Sequence, residues 1–199
     1  MATPSGTQVG YLRFDSFTDS ATDEIEKAFT FFKGKGVKKL VIDLRYNGGG
    51  YLNTASILLD KLVRDKDGTI QFKLAWNAQY SANDEVALFE TDDNSLALSQ
   101  VVFLTTDKSA SASELVINAL APASLGVSTA LVGKATHGKP VGMAGRSYGN
   151  YIYFLINFLV ENADGFSDYF DGLPVNCTAA DDLTHQLGDP KEEIGRAHV

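Results

Sequence analysis

Apolar, β-branched runs alternate with helical patterns along this chain, and that alternation confines it to an α/β domain built on a mostly parallel sheet with flanking helices. Residues 23–32 read as an amphipathic helix, opened by a cap at Ser20 or Thr22 and closed by Gly34 and Gly36. A strand is expected over 38–45, then a helix across 56–63, a turn at 65–68 and a strand over 69–76. Residues 77–99 are polar and irregular, as in a surface excursion. Residues 101–105 read as a buried strand and residues 115–120 as a helix. The longest apolar run, residues 151–160, is too short to cross a bilayer and reads as another buried strand. With 199 residues, 44% of them hydrophobic, the chain can bury the core of one sizeable domain.

Two of these strands end in small-residue loops. The strand over 38–45 runs straight into Tyr46-Asn47-Gly48-Gly49-Gly50. Three consecutive glycines are costly in conformational entropy, and a simple turn needs only one or two. They suit backbone that must come close to a ligand and aim bare N–H groups at it, as an oxyanion hole does; a glycine-rich loop without chemistry is the plainer reading. The second loop is Ser109-Ala110-Ser111-Ala112-Ser113-Glu114, which sets a hydroxyl among residues too small to cover it. Ser111 falls at a strand-to-helix junction, where unpaired N–H groups and the helix dipole favour negative charge. Here the plainer reading is a helix start, with serine as N-cap and Glu114 in the first turn. Gly138-Lys139 follows a further apolar stretch.

Taken together and in this order, the three motifs resemble those of the tail-specific, or C-terminal processing, serine peptidases. The similarity runs from about Val9 to about Glu192, and the stretch Asn162–Pro174 resembles a lipoprotein-rich bacterial branch of that family. The resemblance implies the Clp protease/crotonase-like fold, a polypeptide substrate and peptide-bond hydrolysis through an acyl-enzyme. Carried over residue by residue, it makes Ser111 the nucleophile and Lys139 its base, with the backbone N–H groups of Gly50 and Ala112 as oxyanion donors. Gly49 and His137 fall among the supporting residues. A lysine in water is an ammonium ion at pH 7, so a base at 139 requires apolar surroundings; Ala130-Leu131-Val132 and Val141 supply them. The chain departs from the family twice. Met143 stands where many members carry a glutamine that orients the amine, and Pro122 stands where some carry an acidic residue.

Other chemistry is poorly supported. His137 needs no special environment to act as a base near neutral pH and lies two residues from Lys139; a loop or supporting role is the plainer reading. His185 sits in a polar stretch, and Cys177 is a single cysteine, without pairwise metal spacing or a disulfide framework. Nothing in the pattern calls for a cofactor or a metal. A net charge of −8 argues against binding the nucleic-acid backbone. Two other functions share the fold: a peptide-binding module without turnover, and a crotonase-like acyl-CoA enzyme using the same amide donors. Residues 1–8 read as disordered or carried over from cloning, 9–192 as the catalytic domain without its upstream PDZ or lid region, and 193–199 as a non-native tail that includes His198. No leader is legible, so export to the bacterial cell envelope is implied by the resemblance alone. The oligomeric state is not legible.

Overall fold

The apolar centres of the strands decide the arrangement. Leu40, Val41 and Ile42 are buried on both faces of their strand, as are Val101 to Leu104, which marks both as central strands of a parallel sheet. The computed structural model describes residues 8–189 and 191–196. In chain order the strands of its larger sheet are β1 (Val9–Arg13), β2 (Lys39–Asp43), β5 (Gln100–Thr105), β6 (Ser128–Gly133) and β9 (Cys177–Thr178). They lie side by side in that order, all parallel, with Val41 opposite Val102 and Ile42 opposite Phe103. Period-two alternation splits their side chains between two apolar clusters. Leu40, Ile42, Val101 and Phe103 enter the main core, while Val41, Val102, Leu104 and Val132 enter a smaller one on the opposite face.

Helices cover the main face. Helix α1 (Ala21–Gly34) buries Ile25, Phe29 and Phe32, one stripe at helical spacing. Helix α2 (Leu52–Leu62) starts directly after the glycine loop, four residues earlier than the sequence pattern suggests, and buries Leu58, Leu59 and Leu62. Helix α3 (Ala112–Ala119) is buried along its whole length. It contacts α2 and two strands of a second, antiparallel sheet, which the alternation pattern does not announce. That sheet has the order β4-β3-β8-β7, from β3 (Ile70–Trp76), β4 (Glu85–Leu88), β7 (Val141–Tyr148) and β8 (Tyr151–Asn162). Strand β4 lies within the stretch expected to be irregular.

One expectation is overturned. Residues 151–160 are not uniformly buried: Tyr151 to Ile156 are 50–70% exposed. The physical reason is pairing length. Strand β3 pairs with β8 only from Phe158 to Asn162, so the first half of β8 has β7 alone as neighbour and continues as a two-stranded ribbon with no layer on either face.

The chain beyond β9 returns to the end of β2. The Arg45 guanidinium is enclosed in protein and bonds Asp43 (2.6 Å), Glu192 (2.7 Å) and Asp181 (3.0 Å). Burial acts to lower its pKa, but the bonds to Asp43 and Glu192 outweigh it and the net shift is upward. The hydrogen bond to Asp181, with burial, pushes the Tyr46 phenol up to about 12. Residues 193–196 form the short helix α4, with Ile194 in the smaller cluster. Residues 1–7 and 197–199, His198 among them, lie outside the described residues.

Candidate active site

Ser111 is where the chain turns sharply from the β5 loop into α3. Its backbone has φ 58° and ψ −115°, an uncommon conformation for a residue with a side chain. The neighbouring serines explain how the turn is held. The Ser109 hydroxyl donates to the Leu44 carbonyl (2.7 Å) and accepts from the Thr106 N–H (3.1 Å). The Ser113 hydroxyl donates to the Asn47 carbonyl (2.8 Å), which also accepts the Ala110 N–H (3.1 Å). Both flanking hydroxyls are thus spent on stitching the turn to the loop after β2. Ser111 is left to line the cavity in front of it.

The glycine loop approaches the same turn at van der Waals limits. Asn47 shapes it: its side chain donates to the Phe14 carbonyl (2.8 Å) and accepts from the Gly49 N–H (2.9 Å). At Gly49, φ is +102°, and a Cβ would lie 2.8 Å from Ser111 Cβ and 2.9 Å from Ala112 N, so the contact leaves no room for a side chain. At Gly50, φ is +145°, and a Cβ would lie 2.2 Å from the Phe17 carbonyl oxygen. The obstacle at Gly50 is therefore the neighbouring backbone bridge to Phe17, not the open cavity. Gly48 meets nothing and carries no such constraint. Among the described residues, neither the Gly50 N–H nor the Ala112 N–H donates to a protein acceptor. Gly50 lines the same cavity as Ser111, and Ala112 follows Ser111 directly in the chain.

Glu114 does more than cap a helix. It is fully buried, and its carboxylate accepts four hydrogen bonds. One oxygen takes the Thr136 hydroxyl (2.6 Å) and the Gly138 N–H (2.6 Å). The other takes the Ser111 N–H (2.8 Å) and the Lys139 N–H (2.9 Å). One side chain thereby fixes the serine turn relative to the lysine loop. Sequence reasoning saw Glu114 only as a first-turn acid three residues after a serine. The signal for its larger role was the length of its reach to Gly138 and Lys139, which a linear motif does not display.

Ser111, Gly50 and Lys139 line one cavity of ≈ 310 Å³. Its remaining walls include Leu115, Tyr169, Met143 from β7, and Phe154, Phe158 and Val160 from β8. Lys139 is half-buried there. No direct hydrogen bond joins its amine to Ser111 among the described residues, and such bonds commonly tighten only when substrate is bound. Tyr169 is 3% exposed, and burial together with the negative charge of Glu114 raises its pKa. His137 is exposed and absent from the cavity walls; its backbone N–H donates to the Ser109 carbonyl (2.9 Å). Pro122 lies beyond the end of α3, and Met143 is 44% exposed at a register shift between β7 and β8, where Asn157 of β8 is the extra residue. Cys177 is an exposed free thiol on β9. No group of three or more His, Cys, Asp or Glu able to hold a metal occurs among the described residues.

Comparison with known proteins places this geometry. The chain is 31% identical over 141 residues to a chloroplastic C-terminal processing peptidase of Tetradesmus obliquus, covering 66% of this chain and 26% of that protein. It is 32% identical over 135 residues to a carboxyl-terminal-processing protease of Picosynechococcus, covering 68% and 30%. To a tail-specific protease of Haemophilus influenzae the identity is 28% over 152 residues, covering 76% and 20%. The chain thus spans between a fifth and a third of the length of these relatives. Among solved structures, a Bacteroides fragilis protein assigned to the S41 proteases superposes with a TM-score of 0.86 at 28% identity, over 96% of this chain and 53% of that one. A photosystem II D1 C-terminal processing protease shares the fold, with a TM-score of 0.70 at 24% identity, over 90% and 45%. The description "Peptidase family S41" matches residues 8–160, a span that takes in the glycine loop, the Ser111 turn and the Glu114-tethered lysine loop alike; the chain belongs to peptidase family S41.

Proposed function

We propose that this chain is the catalytic domain of a serine endopeptidase of the C-terminal processing type, acting through Ser111 and Lys139. The observation that carries the reading is the shared cavity: the strained Ser111 turn, Gly50 of the glycine loop and the half-buried Lys139 all line it. In the reaction the neutral Lys139 amine takes the Ser111 proton as Oγ attacks the scissile carbonyl. The Gly50 and Ala112 amides receive the resulting oxyanion. The lysine passes its proton to the departing amine, the C–N bond breaks, and an acyl-serine remains. Water then gives a proton to the lysine as it attacks the ester, and the lysine returns that proton to Ser111 Oγ as the ester C–O bond breaks and the acid leaves. The polypeptide substrate lies between the glycine loop and the apolar ribbon, whose exposed side chains offer it contact surface. Placement in the bacterial cell envelope belongs to the same reading, and no described helix is long and apolar enough to cross a membrane.

The test is labelling by a serine-directed fluorophosphonate together with hydrolysis of a fluorogenic peptide. Ser111→Ala is expected to abolish both. Lys139→Arg is expected to be nearly as damaging as Lys139→Ala, because arginine stays protonated and cannot take the serine proton. An inert peptide-binding module would give no labelling, and an acyl-CoA enzyme would turn over a coenzyme A ester after loss of Ser111. Either result would overturn the proposal.

A further inference from the structure

A neutral amine acting on Ser111 must aim its lone pair at the hydroxyl, which leaves two N–H groups to be matched in a half-buried site. The carboxylate bonded to the Lys139 backbone N–H does not serve them. Glu114 already receives four donors, which fills its acceptor positions. Three side chains that line the cavity can accept a hydrogen bond through oxygen: Ser111, Tyr51 and Tyr169. Tyr51 is 59% exposed and so is hydrated. Tyr169 is buried, and its phenol oxygen has no hydrogen-bond partner among the described residues. It is not sealed off either, since Trp76 Nε1 is the one enclosed and unpartnered side-chain atom found there.

The backbone around Tyr169 is locked to the backbone around Lys139. Gly138 and Gly172 lie face to face: a Cβ on Gly138 would sit 2.2 Å from the Phe170 carbonyl oxygen, and one on Gly172 would sit 2.2 Å from that of Thr136. Hydrogen bonds from Thr136 N–H to the Leu173 carbonyl (3.3 Å) and from Leu173 N–H to the Thr136 hydroxyl (2.8 Å) close the contact. The tyrosine and the lysine each adjoin this seam, which holds the two backbones together, and both side chains line the same cavity.

We propose that Tyr169 is a positioning residue for Lys139: its phenol oxygen accepts one amine N–H and turns the lone pair toward Ser111. This rests on the Ser111–Lys139 reading above. A neutral phenol suits the role, because a carboxylate there would hold the lysine as its ammonium ion. The raised pKa of Tyr169 keeps the phenol neutral across the working range. Met143, where the resemblance places a glutamine, offers no comparable acceptor.

The test is Tyr169→Phe, which removes one oxygen and keeps the ring. Peptide hydrolysis is expected to lose roughly 10- to 100-fold in kcat with KM nearly unchanged, the cost of a misaimed base. The acid limb of the kcat profile should move about half to one pH unit lower, because the lost acceptor favours the ammonium more than the amine. A readout independent of turnover is acetylation of the Lys139 amine at pH 8, followed by peptide mass spectrometry. The variant should react about three- to tenfold faster, the same shift expressed as a rate. Unchanged acetylation with an unmoved acid limb would overturn the proposal. So would a rise in KM alone, which would assign the phenol to substrate, or the same changes appearing in Tyr51→Phe and not in Tyr169→Phe. Loss of the dyad reading would show differently, as activity surviving Lys139→Ala while Tyr169→Phe still alters acetylation.

Discussion

Glu114 offers the sharpest test of how the site is held together. In Glu114→Gln the best orientation keeps the amide oxygen on the Ser111 and Lys139 N–H groups. The amide NH₂ then faces Thr136, whose hydroxyl can turn to accept, and the Gly138 N–H, which cannot. One bond to a charged acceptor is lost, a buried N–H is orphaned, and the retained bonds weaken to neutral strength. At about 1.5–3 kcal/mol for a charge-assisted bond, the expected cost is about 2–4 kcal/mol. Glu114→Ala removes all four bonds and should cost about 4–6 kcal/mol, a large part of the 5–15 kcal/mol typical of a domain. Urea unfolding monitored by circular dichroism reads both numbers. Peptide turnover reads a second consequence. Because Glu114 sets the serine turn against the lysine loop, the glutamine variant should lose roughly 10- to 100-fold in kcat under conditions where it remains folded. Stability of Glu114→Ala within about 1 kcal/mol of the parent would refute the four-bond account. Full turnover in the glutamine variant would refute the tether.

The flanking serines should differ from each other. Ser109→Ala orphans the buried Thr106 N–H and should cost about 1–3 kcal/mol, whereas Ser113→Ala leaves the Asn47 carbonyl with its Ala110 bond and should cost about 0.5–1.5 kcal/mol, both by urea unfolding. The three glycines should not respond alike: Gly48→Ala should leave the melting temperature nearly unchanged, while Gly49→Ala, forced into Ser111 Cβ and the Ala112 amide, should depress turnover by roughly 100-fold or more. Asp60 is pushed up to about 6 by burial, against the opposing bonds from the Glu90 N–H and the Gln71 amide. The folded protein therefore holds that proton where the unfolded chain has released it, and stability declines as pH rises from about 4 to about 6. Asp60→Asn, which keeps the acceptor oxygen, should flatten that decline and melt higher than the parent at pH 7.5 but not at pH 4; equal melting differences at both would refute the assignment. Arg45→Met should cost about 3–5 kcal/mol by leaving Asp43 and Glu192 buried without their cation, and a thermally neutral result would show that cluster to be dispensable.

What the sequence made legible was local and what it hid was long-range. The continuous apolar runs of β2 and β5, buried on both faces, and the single stripe of α1 follow from residues that are neighbours in the chain, so pattern alone recovers them. The same holds for the two small-residue loops at the ends of β2 and β5: strands adjacent and parallel in register must bring their following loops to the same sheet edge, and there Gly49 meets Ser111. The exposed half of β8 failed for the opposite reason. Its apolar content matches a core strand, and only the early end of its pairing with β3 leaves it bare, a fact about register between segments some eighty residues apart. Glu114 failed similarly, since a capping acid and a buried four-bond hub have one local signature. Arg45 completes the case. In sequence it is one charge between a strand and a glycine loop, and its neutralisation comes partly from Asp181 and Glu192, far along the chain. Its carbonyl accepts the Thr106 hydroxyl and its neighbour Leu44 accepts the Ser109 hydroxyl, so the Arg45 backbone is bonded directly to the loop that leads into the serine turn. The segment after β9 is thereby coupled to the glycine loop and to Ser111 through one buried side chain. A residue that looks like a loop charge in the sequence is, in the fold, the support on which both halves of the site rest.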